Sequence, residues 1–356
     1  MKSVNIIAPV NNLGYGVASI NICKALAKRG IRVSLFPIGQ PSFSCEQEAL
    51  DISPMIQSQG SFDPKAPCLK IWHEHSMGER VGTGKFVGFP FFEINKFDAA
   101  RKNHLSSCDE IAVSCEWAKK IVQQEVLNST VHSIPLGVDG STFTALPPAK
   151  SDRFVFFNCG KWEKRKGHDI LIDLFMRAFR TEPDVELWMM CENPFLPPDH
   201  QSHWINLYKQ DPRVRLINRV QSQSELAQLA NSTDCGIFPS RAEGWNLEIL
   251  ELMSLGKSII TTDYSAHTEF CNDKNSMLVK PEKTEPAFDG FFFAGLGEWA
   301  SLEGTEEKFV DHMRSIYETW KRGGKERIIN HEGLDTAKEF SWDNTAKKLE
   351  EVLYEN

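Results

Sequence analysis

Short apolar runs alternate with stretches of helical period along this chain. In the first half, "VNIIAP", "RVSLFPI", "CLKIWHE", "KFVGFP", "EIAVS" and "VHSIPLG" predict strands, because β-branched and aromatic residues fill segments of strand length. Helical period falls near 17–29, 95–105 and 115–126. The segment "ALPPAKSDR" (145–153) breaks the pattern with paired prolines and no apolar period, as a linker does. Beyond it the alternation restarts. Strands are predicted at "RFVFFNCG", "VELWMMC", "RVRLINR", "DCGIFPS" and "SIITTD", and helices near 167–181, 223–231 and 246–255. Strand–helix alternation of this kind argues for an α/β chain whose parallel sheets carry helices on both faces. The C-terminal end, closing on "SWDNTAKKLEEVLYEN", has helical period only.

Composition narrows the class. The chain has 356 residues, 41% hydrophobic and 25% charged, which is ordinary globular composition with length for two domains. Its nine cysteines are scattered, odd in number and without a Cys-x2-Cys pair, so they read as reduced core thiols of a cytoplasmic protein. "MKSVNIIAPVNN" is too short in apolar residues for a signal peptide and reads as a first strand. No run approaches the roughly 18 apolar residues of a membrane span; the aromatic stretches "FVGFPFFEI" and "FDGFFFAGLGEWA" are broken by Gly, Pro and acids. Residues 1–148 hold 14 Lys+Arg against 13 Asp+Glu, and the rest holds 26 against 35, a net −9. Neither half has the bulk charge of a nucleic-acid binder, so any anion site must be local.

Three loops carry candidate chemistry. Gly14 and Gly16 lie in a strand–loop–helix segment, Gly-x-Gly-x-x-Ser, where glycines allow a tight turn and a helix N-terminus faces a ligand. A dinucleotide-binding domain would also place an acid at the end of the second strand, and "IRVSLFPIGQ" has none; a plain turn is the competing reading. In "CGKWEKRKG", Lys161, Lys164, Arg165 and Lys166 cluster between Gly160 and Gly167 at the carboxyl end of a strand, either a phosphate site or a solvated turn. In "SRAEGWNLEILELMSLGKSIITTD", Glu243 sits in a loop, Asn246 stands where a helix N-cap belongs, and Glu251 lies further along that helix. An acid at each end of a patch of bare amides suits a ligand with hydroxyls at both ends and phosphates between them. The competing reading makes Glu248 and Glu251 a helix's wet face.

These segments resemble one family. The Glu-x7-Glu spacing of Glu243 and Glu251, with "EGWNLEILELMSLGKSIITTD", "GKWEKRKGHDILIDLFMRAF", "SIPLGVDGSTF", "CDEIAVSCEWAKKIV" and "FSWDNTAKKLEEVL" in that family's order, is similar to the family-4 retaining glycosyltransferases of GT-B fold. The resemblance implies two Rossmann-like domains facing across a cleft: 1–148 for the acceptor, 149–338 for the nucleotide-sugar donor, and a C-terminal helix, 339–356, crossing back to the first domain. It implies that Glu243 meets the donor sugar, that Glu251 binds the ribose, and that the backbone around Gly244, Trp245, Asn246 and Leu247 meets the sugar and diphosphate. Lys166 matches the phosphate lysine. Lys161 stands where the family has arginine, and Gly160 ends the strand beneath it. Gly14 and Gly16 match the glycine loop that closes over the diphosphate. His73 or His75, in "IWHEHS", matches the histidine beside the transferred sugar. Asn246 and Glu248 replace a glycine and a proline of the pattern, which touches the sugar pocket rather than the phosphate site.

The expected activity is retaining transfer of a sugar from a UDP-, GDP- or ADP-linked donor to a hydroxyl acceptor, a glycan or glycolipid precursor, with peripheral membrane contact if that acceptor is lipid-linked. No cofactor is required. His-Glu-His as a metal pair lacks a third ligand, and no Asp-x-Asp occurs. The alternatives are another GT-B activity, epimerase or phosphorylase, and a catalytically silent sugar-nucleotide-binding subunit.

Overall fold

The computed structural model describes residues 1–147 and 151–355. In chain order its elements are β1 (Ser3–Ala8), α1 (Gly14–Lys28), β2 (Arg32–Pro37), α2 (Glu46–Gln57), β3 (Cys68–Trp72), β4 (Phe86–Pro90), α3 (Ala99–Ser106), β5 (Glu110–Val113), α4 (Glu116–Glu125) and β6 (Thr130–Ser133). There follow β7 (Phe154–Gly160), α5 (His168–Ala178), β8 (Val185–Cys191), α6 (Pro198–Tyr208), β9 (Val214–Leu216), α7 (Gln223–Asn231), β10 (Cys235–Phe238), α8 (Leu247–Ser254), β11 (Ser258–Thr262), α9 (His267–Phe270) and β12 (Met277–Val279). The chain ends with β13 (Thr284–Phe288), β14 (Ala294–Ala300), α10 (Glu306–Gly323), α11 (His331–Glu339) and α12 (Trp342–Tyr354). It divides into two compact units, Met1–Asp139 with the segment from Glu339 onward, and Gly140–Lys338. The boundary expected at 148/149 lies outside the described residues.

The first unit is a parallel six-stranded sheet in the order β2-β1-β3-β4-β5-β6. Its inner strands β1, β3, β4 and β5 are buried almost throughout, as near-continuous apolar runs in a sheet covered on both faces should be. α12 packs on α1. Glu350 of α12 pairs with Lys2 and Arg29, and the Tyr354 hydroxyl donates to the Ser3 carbonyl. The second unit repeats the plan in the order β12-β11-β10-β7-β8-β9. Its core is aromatic: Phe154 and Phe156 of β7, Phe175 of α5, Phe179, and Tyr317 and Trp320 of α10 form one cluster. No disulfide forms among the described residues, which include all nine cysteines.

Four features escape the apolar pattern. α2 buries only Ile52 and carries Pro54 inside it, and α6 buries only Tyr208; with one buried side chain each, neither shows a helical stripe. β12 has three residues. The stretch "FDGFFFAGLGEWA" is the turn and second strand of an antiparallel hairpin, β13–β14. Its turn is organised by Asp289, whose Oδ1 accepts from the amides of Phe291, Phe292 and Phe293.

Candidate active site

In the second sheet β7 and β10 are neighbours, yet the chain leaves β7 toward β8 and leaves β10 toward β11. The loops from their carboxyl ends diverge there, which is where open α/β sheets bind ligands. The basic loop follows β7, and the loop holding Glu243 follows β10. Two glycines let them meet. At Gly160 a Cβ would stand 3.0 Å from the Lys166 side chain, which passes over that backbone. At Gly167, φ is +75° and a Cβ would stand 2.0 Å from the Pro239 carbonyl oxygen. At Gly167 neither conformation nor space admits another residue, and at Gly160 a φ of +141° already disfavours one. His168 fastens the loop from within: its Nδ1 accepts from the Glu163 amide, and its Nε2 meets Asn158 Oδ1 at 3.0 Å. Burial first, then Lys166, lowers its pKa to about 3, so it stays neutral.

The loops form an alternating chain of ions. Lys161 Nζ is 3.0 Å from Glu163, Glu163 pairs with Arg165 at 2.7 Å, Arg165 with Glu243 at 2.7 Å, and Glu243 with Lys166 at 2.9 Å. Glu248 stands 3.8 Å beyond Lys166. Ser240 Oγ also donates to Glu243 at 2.9 Å. The solvated-turn reading of the loop therefore fails at Arg165 and Lys166, which are buried. The loop's charge is balanced by Glu163 from within and by Glu243 from the other loop, a contact between residues 77 positions apart. Glu163, Arg165, Lys166 and Glu243 are buried. Burial pushes the Glu243 pKa up, but Arg165 and Lys166 outweigh it and hold the carboxylate well below its usual range. Burial likewise opposes the Lys166 charge, and Glu243 then Glu248 raise it above the usual lysine range.

Lys161 and Lys164 are the accessible members. Lys161 Nζ lies 5.3 Å from the centre of the Phe195 ring and 5.5 Å from that of Phe292 at the hairpin turn, within cation–π range. Arg241 ties the hairpin to the loop: it pairs with Asp169 of α5 and Glu285 of β13, and donates to the Lys164 carbonyl.

α8 begins at Leu247, with Asn246 at the N-cap position in a left-handed conformation, φ 82°. The expected side-chain cap is absent. Asn246 Nδ2 instead meets His267 Nε2 at 3.0 Å, because the positive φ turns the side chain away from the first helical amides. Gly244 and Trp245 are buried beside it, and the Trp245 ring packs on Phe270. Glu251 is 8% exposed, which excludes the wet-face reading for it. Among the described residues no donor lies within hydrogen-bond distance of its carboxyl. Burial, helped by Glu248, raises its pKa to about 8. The two acids read as one pair therefore sit in opposite electrostatic states.

The first sheet has its own switch point between β1 and β3. The glycine loop follows β1, and His73 follows β3. At Gly16 a Cβ would stand 2.1 Å from the Asn11 carbonyl oxygen, so glycine is required. Gly14 is exposed, and nothing lies within 4 Å of where its Cβ would be. Between them Tyr15 packs on His73 and Phe91. His75 is exposed and stacks on His73 at 5.1 Å. Ligand atoms of His73, Glu74 and His75 lie within 4.8 Å of one another, but Glu74 is held by Arg101 at 2.8 Å, a guanidinium that disfavours a metal cation there. Of the residues singled out in the sequence, Gly14, Gly16, His73 and His75 thus belong to the first unit. Gly160, Lys161, Lys166, Glu243, Gly244, Trp245, Asn246, Leu247 and Glu251 belong to the second. Sequence reasoning missed Glu163, His168 and Arg241; only the alternating signs in "KWEKRKG" hinted at the first.

Comparison with known proteins follows this geometry. Residues 153–289, which hold both loops, match the family model described as Glycosyl transferases group 1. A curated relative, the "Putative glycosyltransferase 45" of Sulfolobus islandicus filamentous virus (isolate Iceland/Hveragerdi), is 19% identical over 252 residues. That match covers 69% of this chain and 66% of the relative, just under two thirds of its length. Among solved structures, sucrose-phosphate synthase from Thermosynechococcus elongatus aligns with TM-score 0.72 at 12% identity, over 99% of this chain and 98% of that one. Anabaena Alr3699/HepE in complex with UDP-glucose aligns with TM-score 0.71 at 15% identity, over 99% of each. A glycosyltransferase from Rickettsia africae aligns with TM-score 0.70 at 14% identity, over 99% and 98%. The fold is GT-B, with two Rossmann-like units, each built on a parallel six-stranded sheet.

Proposed function

We propose that the chain is a retaining glycosyltransferase whose second unit holds a nucleotide-diphospho-sugar. The observation that carries this reading is the meeting of the basic loop with the Glu243 loop at the β7/β10 switch point, with the buried Glu251 further along α8. The family match over 153–289 supports it. In this reading Glu251 takes the ribose hydroxyls, its carboxyl having no protein donor of its own. Lys161 and Lys166 take the diphosphate, and Glu243 meets the sugar. Retention follows if the acceptor hydroxyl attacks the face the diphosphate leaves. The anomeric C–O bond breaks with its electron pair going to phosphate, the acceptor oxygen bonds to that carbon, and its proton passes to the departing phosphate oxygen. The lysines stabilise the charge that develops there.

Complexes of Alr3699/HepE contain UDP and UDP-glucose, so UDP-glucose is the first donor to try. A thermal-shift panel of UDP, GDP and ADP with their glucose conjugates tests the site, since a ligand of the native state raises the melting temperature by mass action. A conjugate should stabilise more than its free nucleotide does. Product NMR should then show the donor's anomeric configuration kept. An inverted product would contradict the mechanism, and no shift with any conjugate would contradict the site.

A further inference from the structure

Among the described phenylalanines only Phe195, Phe288, Phe291 and Phe292 are exposed, and all four lie in the loop after β8 or in the β13–β14 hairpin. Exposed apolar rings gathered in two neighbouring segments call for a reason. One ring from each segment meets the same cation: Phe195 and Phe292 have their centres 5.3 and 5.5 Å from Lys161 Nζ. Both segments are fastened to the basic loop. Buried Asn193 donates from Nδ2 to the Trp162 carbonyl at 3.0 Å, and its Oδ1 accepts the Phe195 amide at 3.1 Å. On the hairpin side, Lys164 Nζ donates to the Phe288 carbonyl at 3.3 Å, the Ala300 amide donates to the Arg241 carbonyl at 3.0 Å, and Phe293 packs on the buried Trp299. Asp289 Oδ1 accepts the Phe292 amide at 2.8 Å, which fixes that residue on the turn.

We propose that Phe195 and Phe292 are positioning residues that hold the Lys161 ammonium at the accessible rim of the site for a diphosphate. The diphosphate part rests on the donor-site reading above. The ordering of Lys161 does not. Glu163 lies 3.0 Å from the ammonium. The rings attract its charge through their faces and supply no lone pair, so they hold the group while it can still donate to an anion. A lysine stem is flexible, whereas a guanidinium is a planar fork already organised for phosphate. Lys161 stands where the glycosyltransferase pattern has arginine, and the two rings supply the order that the lysine lacks. The aromatic stretch of the hairpin thereby becomes part of the anion site.

The double variant Phe195→Leu with Phe292→Leu keeps apolar bulk and removes both ring faces. In NMR on the full chain, the Lys161 ε-methylene protons, assigned by the signal lost in Lys161→Arg, should show an upfield ring-current shift that the double variant loses. Two exposed cation–π contacts correspond to roughly tenfold in affinity. The double variant should therefore bind UDP and inorganic pyrophosphate about tenfold more weakly in calorimetry, at an unchanged melting temperature. Adding Lys161→Arg to it should restore most of that loss, which a general loosening of the loop would not allow. A wild type without the ring-current shift, an unchanged affinity in the double variant, or a loss that Lys161→Arg leaves in place overturns the proposal. If UDP fails to bind wild type while pyrophosphate binds with the same dependence on the rings, the donor reading fails and the positioning stands; if neither binds, both fall.

Discussion

Glu243→Gln should destabilise the second unit by about 3–5 kcal/mol, the usual cost of breaking a buried ion pair from one side. The glutamine is nearly isosteric, so packing is kept. What disappears is the charge that two buried cations share: Arg165 would retain Glu163 at 2.7 Å, but Lys166 would keep only Glu248 at 3.8 Å. Ser240→Ala, which removes a neutral hydrogen bond to the same carboxylate, should cost only about 1 kcal/mol. Urea denaturation of the full chain, followed on the transition of the second unit, compares the two. Equal and small losses would mean that the carboxylate is not integral to the fold.

The second large effect has the opposite sign. The folded Glu251 pKa of about 8 lies above the ordinary carboxyl value of 4.5, so the native state binds more protons than the unfolded one between those values. Stability falls as pH rises through that interval. Two buried histidines mask the lower part. His168 and His267 are depressed to about 3 and 4, so their contribution is lost as pH falls below about 6.5. Lys257, lowered by burial to about 8, acts above that pH. The window that reports Glu251 is therefore about pH 6.5–8, where about 2 kcal/mol should be lost. Glu251→Gln mimics the protonated acid and should flatten the decline, leaving the variant more stable than wild type at pH 8. Denaturant midpoints across this window give the answer, and a decline unchanged in the variant would place its origin elsewhere. Glu243, held below the usual carboxylate range, contributes in the other direction, losing its stabilisation only as pH falls below about 4.5.

The strands that carry both sites were legible because buried parallel strands are continuous apolar runs. "VELWMMC" is β8 residue for residue, and β7 ends at Gly160 as read. α7, expected near 223–231 from its period, spans Gln223–Asn231, and the structure adds a Ser222–Glu225 capping box at its start. α2, α6 and the β13–β14 hairpin were not, since each depends on few buried side chains or on an aspartate-organised turn. At the site, the sequence shows Glu243, Lys166 and Glu251 but not their states. The Glu243–Lys166 contact depends on tertiary closure of two loops, and the raised pKa of Glu251 on burial that a helix's polar stripe conceals. The left-handed backbone of Asn246 likewise has no signature beyond asparagine's tolerance of that conformation.

Calorimetric titration of UDP, GDP and ADP into wild type and Glu251→Gln, at pH 7 in two buffers of different ionisation enthalpy, tests the donor site most directly. Ribose hydroxyls that donate to Glu251 favour its ionised form. At least one of these nucleotides should therefore bind wild type with release of close to one proton, and bind Glu251→Gln roughly ten- to a hundredfold more weakly with none. Binding with no proton release and equal affinity in the variant would contradict the placement of the ribose on Glu251.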